Sequence, residues 1–164
     1  MLPEQSDAEI KLGVEAYLPS EYVPDQRQKM ELYKRIRQTT AAGMLDLAGD
    51  LIDRYGDYGP AVANLLLVAQ IKAVADTALL SLVERKQDNL YLTWTPTGNR
   101  RLQVTAVMQA IAATKFKSTM SENEQGLVIR LIIQPWMKEN EWLKQLLTLL
   151  TTLATKMEET DATR

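Results

Sequence analysis

No cysteine and no histidine occur anywhere in the 164 residues. The first absence removes any disulfide framework and any thiolate metal ligand. The second removes the commonest general base and the commonest zinc ligand together. The seven glycines form neither a GxxxxGK(S/T) nor a GxGxxG pattern, so no phosphate-cradling loop is visible. There is no GxSxG elbow and no EF-hand spacing. Paired carboxylates stay open as an acid–base route, since two Asp or Glu side chains are all it requires. The expectation is a chain that is not itself an enzyme and holds no cofactor or metal.

Positive charge is also not in excess. The net charge is −2 and the pI about 5.3, whereas non-specific nucleic-acid binding draws on a basic face. Long apolar runs are missing too. Asn64, Gln70, Lys72 and Asp76 interrupt one candidate, and Lys144 and Lys156 bracket the other. A bilayer needs about 20 consecutive apolar residues. The opening MLPEQSDAEIKL lacks the basic start and apolar stretch of a signal peptide. The expected place is therefore the cytoplasm, with no membrane contact.

What is present suits a packed domain: 46% hydrophobic and 24% charged residues. A chain this long buries roughly two-thirds of its unfolded surface. We expect one domain over residues 8–158, with disordered segments at 1–7 and 159–164. Residues 8–17 alternate, with Ile10, Leu12, Val14 and Ala16 on one side, as in a half-buried strand. Helices are expected at about 25–38, 40–55 and 61–78. In the first, Met30, Leu32, Tyr33 and Ile36 form the apolar face. In the second, Leu45, Ala48, Ile52 and Tyr55 do so, and Gly56 is placed to stop it. The third follows Pro60 and is apolar on most sides. The period then changes. Residues 79–86 and 89–95 read as strands joined by Gln87–Asp88, and 96–101 as a loop. A helix carrying Val104, Val107, Met108 and Ile111 comes next. A hairpin (115–120 and 126–133) follows, then an amphipathic helix over 139–157. Segregated strands and helices favour α+β: an N-terminal strand and three helices, then a ββαββα unit with a small, mainly antiparallel sheet and a C-terminal amphipathic helix.

Three constellations carry possible function. Asp46, Asp50 and Asp53 are spaced four and three, which stacks them on one helix face. Such a stripe is either an ordinary solvated face or a docking surface for a basic partner. Arg100, Arg101, Lys115 and Lys117 could contact nucleic-acid phosphates with Tyr91 and Trp94 stacking; equally they are a solvated loop and a lysine-guarded edge strand. Trp136 and Trp142 either anchor an interface or pack the start of the last helix.

Two stretches carry a resemblance. AYLPSEYVPDQRQKMELYKRI (16–36) and DLIDRYG (50–56) resemble runs in the C-terminal domain of the bacterial transcription-repair coupling factor. NLLLVAQIKAVA (64–75), KF (115–116) and EWLKQLLTLL (141–150) continue the likeness in order, over about residues 8–157. The resemblance implies a parent that is a DNA translocase, with its ATPase motor outside this chain, acting on stalled RNA polymerase. It implies that this domain packs on a UvrB-like N-terminal module of the same polypeptide and masks the surface that UvrA binds. It implies that Asp50 and Asp53, in the LIDR motif, lie at that contact. Asp46 shares their face but has no counterpart in the resemblance.

Overall fold

The structure, a computed structural model, describes residues 4–162. The element order is β1 (Glu9–Lys11), α1 (Gln26–Gln38), α2 (Met44–Tyr55), α3 (Pro60–Thr77), β2 (Leu80–Lys86), β3 (Asn89–Trp94), α4 (Pro96–Arg101), α5 (Val104–Ala112), β4 (Lys117–Asn123), β5 (Gly126–Ile132) and α6 (Glu139–Ala162). This is the expected α+β order, with α4 added. The chain divides into two compact units. Val14–Gln70 form one; the segments up to Gly13 and from Ile71 onward form the other.

The Val14–Gln70 unit is helical. Asp25 caps α1 by accepting from the Gln28 N–H at 2.9 Å. Leu32 and Ile36 are buried on α1, while Met30 is 72% exposed, against the expected apolar face. Leu32 and Ile36 join Leu18, Val23, Met44, Leu47, Leu51, Val62 and Leu66 in one core. Asn64 is buried, and its amide donates to the Glu15 carbonyl at 3.0 Å. A polar group at that depth needs such a partner.

The other unit is built on a five-stranded sheet of order β1-β2-β3-β5-β4. Only β1–β2 is parallel; the other pairs are antiparallel. Val83, Leu90, Leu92, Ile129 and Leu131 are fully buried on one face. α5 packs against α6, whose Leu143, Leu146, Leu150, Leu153 and Met157 are buried as the periodicity predicts.

Four further expectations shift. The first strand ends at Lys11 because Arg85 takes the next carbonyls, donating to Leu12 at 2.6 Å and Gly13 at 3.1 Å. Gly13 turns there with φ 65°, a conformation glycine adopts without strain. Residues 96–101 are helical rather than a loop. Pro96 opens the first turn and the Thr95 hydroxyl accepts from the Gly98 N–H at 3.0 Å. Residues 4–7, read as disordered, include Ser6, whose N–H donates to the Asp76 carbonyl at 3.0 Å. They also include Asp7, paired with Lys72 at 2.6 Å. α6 runs to Ala162, past the expected boundary, helped by a Lys156–Glu159 pair at 3.6 Å. The ends of those expectations, 1–3 and 163–164, lie outside the described residues.

Candidate functional site: an acidic helix face

α2 carries the site. Its buried residues are Met44, Leu47 and Leu51, with Ala48 and Tyr55 packed against the same core. This corrects the expected apolar face, because Leu45 is 84% and Ile52 43% exposed. The reason is that α2 begins at Met44, so a line through 44, 47, 48, 51 and 55 runs its full length. Leu45 and Ile52 lie a quarter-turn aside on a wheel of about 100° per residue.

On that wheel Asp53 and Asp46 fall nearly opposite the buried line and Asp50 about a third of a turn from it, and all three are exposed. The stripe expected from spacing thus faces solvent. Its three carboxylates are not equivalent. Asp50 accepts from the Arg35 guanidinium at 2.6 Å, with both side chains about half exposed. Among the described residues Asp46 and Asp53 have no ion pair. Arg54, next in sequence to Asp53, lies 5.3 Å over the Tyr55 ring instead.

The far end of α2 is held firmly. Gly56 closes it with φ 86° and an N–H donated to the Ile52 carbonyl. The Tyr22 hydroxyl lies 3.1 Å from the Leu51 carbonyl and 2.7 Å from that of Gly56. Its ring meets those of Tyr55 and Tyr58. Burial, then the neighbouring Tyr58, Asp57 and Tyr55, pushes the Tyr22 phenol above its ordinary pKa. The Tyr55 hydroxyl donates to Gln28 at 3.0 Å, tying α2 to α1. Sequence reading missed the Arg35 contact, which joins positions 15 apart on two helices.

The basic set does not survive as a group of four exposed cations. Arg101 is 7% exposed, donates to the Met157 carbonyl at 2.8 Å, and lies 3.6 Å from Glu4. Arg100 is exposed and donates to the Thr97 hydroxyl at 3.1 Å. Lys115 lies 5.4 Å over the Trp136 ring, and Lys117 opens the edge strand β4. Trp142 is buried, whereas Trp136 is 55% exposed. A cleft lined by Trp94, Arg101, Gln103, Val107 and Lys156 has its two cations already engaged, with Met157 and Glu159. No group of His, Cys, Asp and Glu suited to a metal ion occurs among the described residues, nor does any helix long and apolar enough to cross a membrane.

Among the described residues, a five-stranded, mainly antiparallel sheet with six helices defines the class, a mixed α+β fold. A sequence profile of the TRCF domain matches residues 12–105. The transcription-repair-coupling factor of Staphylococcus aureus strain USA300 is 29% identical over 161 residues, which cover 96% of this chain and 13% of that protein. Its counterpart from Staphylococcus epidermidis is 35% identical over 95 residues, or 57% of this chain and 8% of that protein. A crystal structure of the C-terminal domain of transcription-repair coupling factor matches with a TM-score of 0.89 at 31% identity, covering 94% of this chain and 96% of that one. The chain belongs to the TRCF domain family. It spans about an eighth of the curated relatives that it matches along nearly its whole length.

Proposed function

We propose that residues 8–158 act in the cytoplasm as a non-catalytic regulatory domain of a transcription-coupled repair translocase. In this reading the Asp46–Asp50–Asp53 face docks on arginines of a UvrB-like N-terminal module and masks the surface for UvrA. Engagement of RNA polymerase by the parent, and DNA translocation by its motor, would release it. The observation that supports the reading is the outward face of α2, on which Asp46 and Asp53 have no ion pair among the described residues; Asp50 is already held by the half-exposed Arg35, which a partner arginine would have to join or displace. Exposed ion pairs contribute only about 0–1 kcal/mol each. A contact built from a few of them is releasable by a coupling of about 1–3 kcal/mol.

The test is charge reversal at Asp50 and Asp53 in the full-length factor. UvrA affinity should rise roughly tenfold, as a coupling of about 1.4 kcal/mol implies, with this domain still folded by circular dichroism. Unaltered UvrA affinity would remove the acidic face from the mechanism.

The alternative, phosphate contact through Arg100, Arg101, Lys115 and Lys117, loses support because Arg101 is buried and engaged. It predicts binding to fluorescent single-stranded DNA that weakens steeply with salt.

A further inference from the structure

The sheet has a second face. Directly opposed residues of neighbouring antiparallel strands share a face. The register therefore lays out three rows opposite to the buried one: Leu82–Thr93–Val128–Ser121, Glu84–Tyr91–Arg130–Thr119, and Lys86–Asn89–Ile132–Lys117. None of these side chains is buried, whereas Val83, Leu92 and Ile129 on the reverse are 0% exposed. A sheet face turned to water ordinarily carries polar side chains. This one presents Leu82, Tyr91, Val128 and Ile132. At its middle stands Arg130, with no ion pair among the described residues and a buried Nε that meets no acceptor.

We propose that this face is a self-association surface, occupied by a second copy of the chain packed sheet against sheet about a two-fold axis along β3. Charge selects both occupant and axis. Glu84 and Arg130 flank Tyr91 at one level, on the strands either side of β3. Rotation about β3 exchanges the two sides and keeps the level, so Glu84 of each copy meets Arg130 of the other. The same rotation sets Leu82 over Val128, and Tyr91 and Thr93 over their own counterparts. A two-fold axis across the strands would instead set Arg130 on Arg130. The favoured contact is isologous, as closed dimers require, and stacked sheets lie about 10 Å apart, within reach of a Glu–Arg pair. A nucleic-acid strand fits less well. Lys11 already pairs with Glu9 at 3.1 Å, and Lys86 leans on one oxygen of Glu84 at 3.7 Å while the other oxygen stays open to Arg130, which leaves two cations on the face without an ion pair among the described residues.

Sedimentation equilibrium of the whole chain, from about 1 to 300 µM, tests this over the range of weak dimers. The mass should rise from 18.5 kDa toward twice that value. Glu84→Arg and Arg130→Glu should each weaken the dimer at least about tenfold, and the two together should restore it. Arg130→Gln serves in place of the reversal if circular dichroism shows that Arg130→Glu does not fold. The chain has no cysteine, so Thr93→Cys gives a single thiol on the axis. A short bis-maleimide should link two copies through it, and should not do so through Thr151→Cys on the exposed side of α6. An 18.5 kDa species at every concentration would overturn the proposal. So would a dimer indifferent to the single substitutions, or a charge swap no better than either one.

Discussion

Asp53 lies in the last turn of α2, one residue before Arg54 and three before the closing Gly56. Helix carbonyls there present partial negative charge, so a carboxylate is locally unfavourable by about 0.3–1 kcal/mol. Arg54 gives little relief, since it lies over Tyr55. An unpaired acid in that position suits a visiting cation better than it suits the isolated helix. Asp53→Asn should therefore raise stability in urea unfolding by a few tenths of a kcal/mol while weakening the docking proposed for this face. Loss of both properties together would mean that Asp53 serves the fold instead. At this scale sequence reading was uneven. The spacing of Asp46, Asp50 and Asp53 told that they share one face of α2, because helical periodicity decides that much; which line of α2 is buried it left open. Whether a charge finds a partner inside its own chain was hidden. Arg35 and Arg101 reach theirs across 15 and 56 positions, and no local pattern encodes that.

Among the elements, the long amphipathic helices were legible and the short or competing ones were not. The face of α6 follows from one unbroken line of leucines. On α2 two apolar lines compete, and the start of the helix decides between them. On β1 the alternation continues past Lys11, but the Arg85 side chain claims the backbone that pairing would have used. The segment before β1 gives an element-level prediction. Lys72 holds Asp7 at 2.6 Å and Asp76 at 3.0 Å, and the Ala8 N–H donates to Asp76 at 2.8 Å. The hydrogen bond and charge of Lys72 hold the Asp7 carboxyl below its ordinary value of 3.8. Burial pulls Lys72 down, but the bonds to Asp7 and Asp76 outweigh it and raise it above 10.5. The Asp7 contribution is complete above pH 3.8 and fades as pH falls through its lower folded value. The Lys72 contribution is complete below 10.5 and fades as pH rises through its higher one. Attachment of residues 6–8 should thus hold near neutrality and loosen at both extremes. Hydrogen exchange should find the Ala8 amide losing protection below pH 3.8 before the amides of β3 do.

At the scale of the whole molecule, the order of elements was readable and the division of the chain was not. The order follows from local periodicity. The division depends on β1 pairing in parallel with β2, some seventy positions further on, a closure that local patterns do not record. The chain leaves the sheet unit at Gly13, builds the helical unit, and re-enters at Ile71. Residues 14–70 are thus an insertion between a strand and the rest of its own sheet. A protease cut at the exposed Ala41–Ala42 turn between α1 and α2 should leave two pieces that co-elute. The first piece would stay bound through β1–β2 pairing and the Ser6, Asp7 and Ala8 contacts. Separation of the pieces under native conditions would contradict the topology. The acidic face is in this sense suspended from two points rather than trailing on one. A break in either route leaves it still fastened by the other, and to remove it cleanly an engineer would have to sever the polypeptide twice and splice the ends.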